Sequence, residues 1–134
     1  MERISPDFIT ELDDNEVFVF GSNIQGRHGG GAAAIAFNRF GAEWGKGNGM
    51  QGQSYAIPTM HGGIETIRRY VDEFIEFARA NGDKRFLVTE IGCGIAGYSV
   101  SDIAPLFFTA IDDDIQNIYL PKRFIDEYKK EKQK

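Results

Sequence analysis

Four short apolar runs, 17–22 ("VFVFGS"), 54–59 ("SYAIPT"), 85–91 ("RFLVTEI") and 117–121 ("NIYLP"), alternate along the chain with stretches of helical periodicity. Each run has the length and the β-branched or aromatic content of a strand; Gly21 stops the first and Pro58 ends the second. Strands separated by helices of this length imply a mainly parallel sheet with helices on both faces. The expectation is α/β: a single three-layer α/β/α domain over 1–134. That length is enough for one domain to bury a real core.

The clearest helix lies between the second and third runs. Ile64, Ile67, Tyr70, Val71, Phe74, Phe77 and Ala78 recur at i, i+3, i+4 spacing, with Arg68, Arg69, Asp72, Glu73 and Glu76 on the other face. "GGGAAAIAFNRFGA" (29–42) predicts an earlier helix of small residues, with Phe37 and Phe40 inward and Gly41 as its stop. Ser101 is read as the cap of a third helix, with Pro105 near its first turn and Ile103, Leu106, Phe107, Ala110 and Ile111 inward. Ser5 and Pro6 predict a capped short helix over 5–12, and the tail 122–134 a short helix fraying into solvent.

Glycine is unevenly placed: ten of the sixteen lie between Gly21 and Gly52. In a plain loop that excess would carry an entropic cost without purpose. "GAEWGKG" (41–47) is not a phosphate-binding P-loop, because only three residues separate Gly41 from Gly45-Lys46 and Gly47 stands where Ser or Thr is needed. "GNGMQG" (47–52) precedes a strand and reads as a loop. "GCGIAG" (92–97) also spells G-x-G-x-x-G, yet Tyr98, Ser99 and Val100 intervene before the helix, and no acidic residue ends the next strand. A dinucleotide fingerprint opens its helix directly, so the Rossmann reading fails on context. What remains is a small-residue loop at a strand's carboxyl end, able in principle to cradle phosphate, or a structural turn. The loop "GSNIQGRHGGGAAA" (21–34) has the same character, and ligands of open α/β sheets bind at that edge.

A net charge of −5 and a pI near 5.0 argue against broad nucleic-acid binding. A small anion stays compatible, because backbone N–H groups hold phosphate without basic side chains. Cys93, the only cysteine, excludes an intramolecular disulfide and a cysteine-based zinc cluster, so no metal and no cofactor are expected. No apolar run approaches the roughly 18 residues of a membrane span, and the N-terminus lacks a signal-peptide core; a cytoplasmic protein without membrane partners is expected.

Taken together, "VFVFGSN…GGGAAAIA", "QSYAIPT" and "VTEIGCGIAGYS" resemble the macrodomain superfamily, over about Val17 to Pro121 and in the same order. The resemblance is to a small bacterial and phage branch of mostly unassigned function. It implies a macrodomain-like fold and an ADP-ribose-like nucleotide as partner. Asn23 resembles the ribose-side Asn, Gly29-Gly30-Gly31 the Gly-rich segment, and Gly92 to Gly97 the diphosphate loop. Tyr98 would cover the distal ribose. "IGCG" looks closest to the branch that removes ADP-ribose with a Lys after a "PT" strand end and an Asp in the second loop. Here Met60 follows Pro58-Thr59, and Ala96-Gly97 stand at the second position, so lysyl-type chemistry is not supported.

The ligand-binding candidates are therefore Gly21, Ser22, Asn23, His28, Gly29, Gly30, Gly31, Gly92, Cys93, Gly94, Ile95, Ala96, Gly97 and Tyr98. Asn23, His28 and Glu90 are the candidates to direct a water, Glu90 through a raised pKa; as alternatives, Asn23 caps a turn, His28 is an exposed loop residue and Glu90 has a structural role in the sheet. Cys93 sits where free N–H groups would favour a thiolate, although a small buried cysteine is the commoner outcome. Three functions stay open: a module binding ADP-ribose or a related nucleotide diphosphate, a hydrolase of ADP-ribosyl bonds or ADP-ribose phosphate, and a phage or host interaction protein without nucleotide activity.

Overall fold

Strand β1 (Glu16–Ser22) occupies the middle of the sheet in the computed structural model, which describes residues 3–94 and 96–133. Helix α1 (Gly31–Arg39) and strand β2 (Gly49–Gln51) follow, then β3 (Ser54–Pro58), α2 (Gly63–Ala80) and β4 (Arg85–Val88). Helix α3 (Val100–Ile103), a 3₁₀ turn (Ala104–Phe107), α4 (Phe108–Asp112), β5 (Ile118–Tyr119) and α5 (Lys122–Lys132) complete the order. The five strands are arranged β2-β3-β1-β4-β5; β2 pairs antiparallel with β3, and the other pairs are parallel. The chain is thus α/β with a mixed sheet. The "GNGMQG" segment read as a loop supplies β2, whose three residues are too few to leave an alternation in the sequence.

Side-chain alternation divides the core. Val17 and Val19 of β1 and Tyr55 and Ile57 of β3 pack with α2, α3 and α5, whereas Phe18, Phe20 and Ala56 pack with Ala33 and Ala36 of α1 and with Phe40. The crossover from β1 to β3 carries α1, and the return to β4 on the other side of β1 carries α2. Right-handed crossovers in opposite directions place their helices on opposite faces, which is why α1 lies across the sheet from α2. Helix α2 has its apolar stripe fully enclosed at Ile67, Val71, Phe74 and Ala78, as its spacing predicts.

Several local expectations are corrected. No helix forms over 5–12: the Ser5 amide donates to the Leu120 carbonyl, its hydroxyl donates to the Val88 carbonyl, and Ile4 bridges to Leu120. Pairing with the sheet end takes the groups that a local cap would have used. The third helix is capped by Ser99, not Ser101; Ser99 is extended, its hydroxyl accepts from the Asp102 amide, and the Asp102 carboxylate accepts from the Ser99 amide. That helix is also broken into α3, the 3₁₀ turn holding Pro105, and α4. Phe40 is buried as expected, but Phe37 is exposed and rests against Trp44. The tail does more than fray, since α5 buries Phe124 and Ile125. Among the described residues, no helix is long and apolar enough to cross a membrane.

Candidate functional site

The three parallel strands β1, β3 and β4 end on one side, and the segments leaving them line a common cleft of about 240 Å³. Gly21, Ser22 and Asn23 come from the end of β1, Thr59 and Met60 from the end of β3, and Thr89 to Gly92 with Gly94 and Ala96 from beyond β4. Gly30 to Ala33 bring in the first turn of α1, and Arg27 stands on the connecting loop. The cleft sits at β1, where the chain reverses its direction of travel across the sheet, the usual crevice of such folds.

Its polar character comes mainly from backbone. Helix α1 starts at Gly30 without a side-chain cap and without an acid in its first turn. The amides of Gly31, Ala32 and Ala33 therefore have no acceptor among the described residues. The loop after β4, which also lines the cleft, is folded on itself: the Cys93 amide donates to the Glu90 carbonyl, Gly97 to Gly94, and Tyr98 to Gly92. The amides of Gly92, Gly94 and Ala96 are left without an acceptor among the described residues. Gly92 holds this loop at φ +73°, and a Cβ there would meet Ile103 at 3.0 Å, so only glycine turns the chain here without strain.

Asn23 staples its own loop. Its Oδ1 accepts from the Arg27 amide and its Nδ2 donates to the Arg27 carbonyl, both at 2.9 Å. The staple sets Arg27 on the cleft wall, where the guanidinium has no partner among the described residues. Ser22 is buried, and its hydroxyl donates to the Gly47 carbonyl. The Thr89 hydroxyl donates to the Val19 carbonyl at 2.7 Å.

The candidates for chemistry behave differently. Glu90 lines the cleft, but Arg123 of α5 grips its carboxylate from outside, and this hydrogen bonding holds the carboxyl below its ordinary pKa. The raised pKa expected for an acid or base is thus reversed. His28 is neither exposed nor on the cleft wall: it is buried, with Nε2 donating to the Glu43 and Lys46 carbonyls at 2.9 and 3.1 Å. Its ring lies among Phe20, Phe37 and Trp44, and it pins the loop that follows α1. Burial, and next the charge of Glu90, push the Cys93 thiol up to about 11, the opposite of an activated nucleophile.

Of the remaining candidates, Gly29, Cys93, Gly97 and Tyr98 do not line the cleft, and Ile95 lies outside the described residues. Sequence reasoning missed Arg27, Ala32, Ala33, Thr59, Met60, Thr89 and Ile91 as lining residues. Thr59 and Thr89 had a usable signal, each being the first residue after a parallel strand. A second cavity of about 230 Å³, between Arg3, Ile118, Leu120 and α5, shares no residue with the cleft. Its Arg3 is already paired with Asp114 at 2.7 Å. No protein-family model matches this chain, and neither a curated protein nor a solved structure matches it.

Proposed function

We propose that this chain binds ADP-ribose or a related nucleoside diphosphate, with the diphosphate held in the glycine cleft of a three-layer, macrodomain-like fold. The observation that carries the reading is one cleft lined by two sets of residues whose amides have no acceptor among the described residues, Gly31 to Ala33 and Gly92, Gly94 and Ala96. Amides at a helix start and in a glycine turn attract anions through aligned dipoles, with no need for net positive charge. Arg27 adds one guanidinium suited to a phosphate oxygen.

Size supports a partial enclosure. At about 240 Å³ the cleft falls below the roughly 300–1,000 Å³ of sites that engulf a ligand. It fits the diphosphate centre of a nucleotide and leaves the two ends at its rims. Binding without turnover is the reading these residues favour. Glu90, the cleft's one carboxylate among the described residues, is tied to Arg123, and the Asn23 amide is engaged with Arg27.

Calorimetric titration with ADP-ribose, compared with NAD, AMP and ADP, tests this directly. An affinity near 10 μM, roughly 7 kcal/mol, with ADP-ribose preferred over AMP, is the expected result. Gly94 has open space where a side chain would go, so Gly94→Glu keeps the fold and fills the cleft with a like charge. A folded Gly94→Glu protein that still binds with full affinity overturns the assignment of the cleft.

A further inference from the structure

Beside the glycine cleft, and sharing Thr89 and Glu90 with it, lies a second hollow of about 370 Å³. Its outer wall is the segment 5–8, and Val88 and Pro121 complete it. The segment is anchored: the Ser5 amide donates to the Leu120 carbonyl at 2.9 Å and its hydroxyl to the Val88 carbonyl at 2.7 Å, while Leu120 donates to the Arg3 carbonyl at 3.1 Å. Pro6 stiffens the next step. Phe8 nevertheless leaves 90% of its surface exposed, more than any other large apolar residue among those described. An aromatic ring held by an anchored segment at the mouth of a hollow, with nothing packed on it, is a platform for another flat ring.

We infer that this hollow receives the ring of a nucleoside diphosphate whose phosphates lie in the glycine cleft, with Phe8 stacking on the ring; the inference rests on the phosphate-cradle reading of that cleft. Charge decides which end goes where. The glycine cleft offers unpartnered amides and Arg27, whereas the hollow offers the Asp7 carboxylate, Glu90 on their shared wall being neutralised by Arg123. Asp7 would repel a phosphate but accepts from the N–H groups of a neutral base. The two spaces adjoin at Thr89 and Glu90, so a ligand that passes over this shared wall reaches both.

Three proteins titrated with two probes test the inference. Inorganic pyrophosphate fills the glycine cleft alone, and ADP-ribose carries both phosphates and a ring. Phe8→Ala, at an exposed position, leaves the thermal midpoint unchanged; it is expected to weaken ADP-ribose about tenfold, the effect of losing one aromatic–base stack, and to leave pyrophosphate as it was. Phe8→Trp is expected to restore binding. Equal ADP-ribose affinity in the unaltered and Phe8→Ala proteins overturns the ring site while leaving the phosphate cleft standing. Failure of the unaltered protein to bind either probe overturns the cleft reading, and this inference with it.

Discussion

Arg123 grips Glu90 with both arms of its guanidinium, Nε donating to one carboxylate oxygen at 2.7 Å and Nη2 to the other at 2.6 Å, at the wall shared by the glycine cleft and its neighbouring hollow. The pair neutralises the only carboxylate lining the cleft among the described residues. Arg123→Ala exposes that charge and is expected to weaken a diphosphate about fivefold, the scale of one partly screened charge, with a smaller effect in high salt. Glu90→Gln is expected to strengthen it. Calorimetry at two ionic strengths checks both signs.

The same pair predicts a pH dependence. A carboxyl whose folded pKa is lowered contributes stability above its ordinary value near 4.5, and that contribution fades as pH falls through the folded value. The melting difference between the unaltered protein and Glu90→Gln is therefore constant above about pH 5 and shrinks in more acid solution. Thermal melts from pH 3 to 8 measure it.

Cys93 should be slow to alkylate. With its thiol pushed up to about 11 from an ordinary 9.0, the thiolate fraction at neutral pH falls about 100-fold. The iodoacetamide rate is expected to keep rising beyond pH 9. Glu90→Gln removes one of the charges that raise this pKa, so it should shift the profile to lower pH.

Gly47 and Gly29 lie in the same glycine-rich stretch but should respond oppositely to alanine. A Cβ on Gly47 would stand 2.1 Å from the Asn23 carbonyl oxygen, against backbone that cannot turn aside, and Gly47→Ala is expected to cost about 3 kcal/mol. At Gly29 a Cβ meets nothing within 4 Å and φ is not in the left-handed region, so Gly29→Ala is neutral or stabilising by about 0.5 kcal/mol. Urea unfolding separates the two.

His28→Ala removes a buried ring and takes one of two donors from each of the Glu43 and Lys46 carbonyls, which keep the Lys46 amide and the Gln51 side chain. A loss of about 2–4 kcal/mol is expected, with nucleotide affinity retained by the folded fraction because the residue does not line the cleft. Melting and calorimetry on the same sample distinguish this from a role in binding.

What sequence reveals about this protein follows the range of the forces involved. The strands at 17–22, 54–59 and 85–91 and the helix through Phe74 were legible because periodic apolar burial writes itself into consecutive residues. The two glycine loops at the strand ends were legible for a similar reason, since a parallel sheet places those ends together wherever its strands lie in order. The direction of Glu90's pKa was not legible, because its partner is 33 positions away on a helix that docks only when α5 buries Phe124. His28 misled for the same cause: a loop histidine next to glycines reads as exposed until Phe20, Phe37 and Trp44 close around it. Ser5 carried a sound capping signal, yet pairing with Leu120 and Val88 outweighed it. The sequence by itself determined the α/β class, the core stripes and the loops that meet at the sheet edge, all products of local pattern. Tertiary structure alone decided which carboxylate is neutralised and where the segment 5–8 runs, because each depends on hydrogen bonds to groups distant in the chain, Arg123 for Glu90 and Leu120 and Val88 for Ser5.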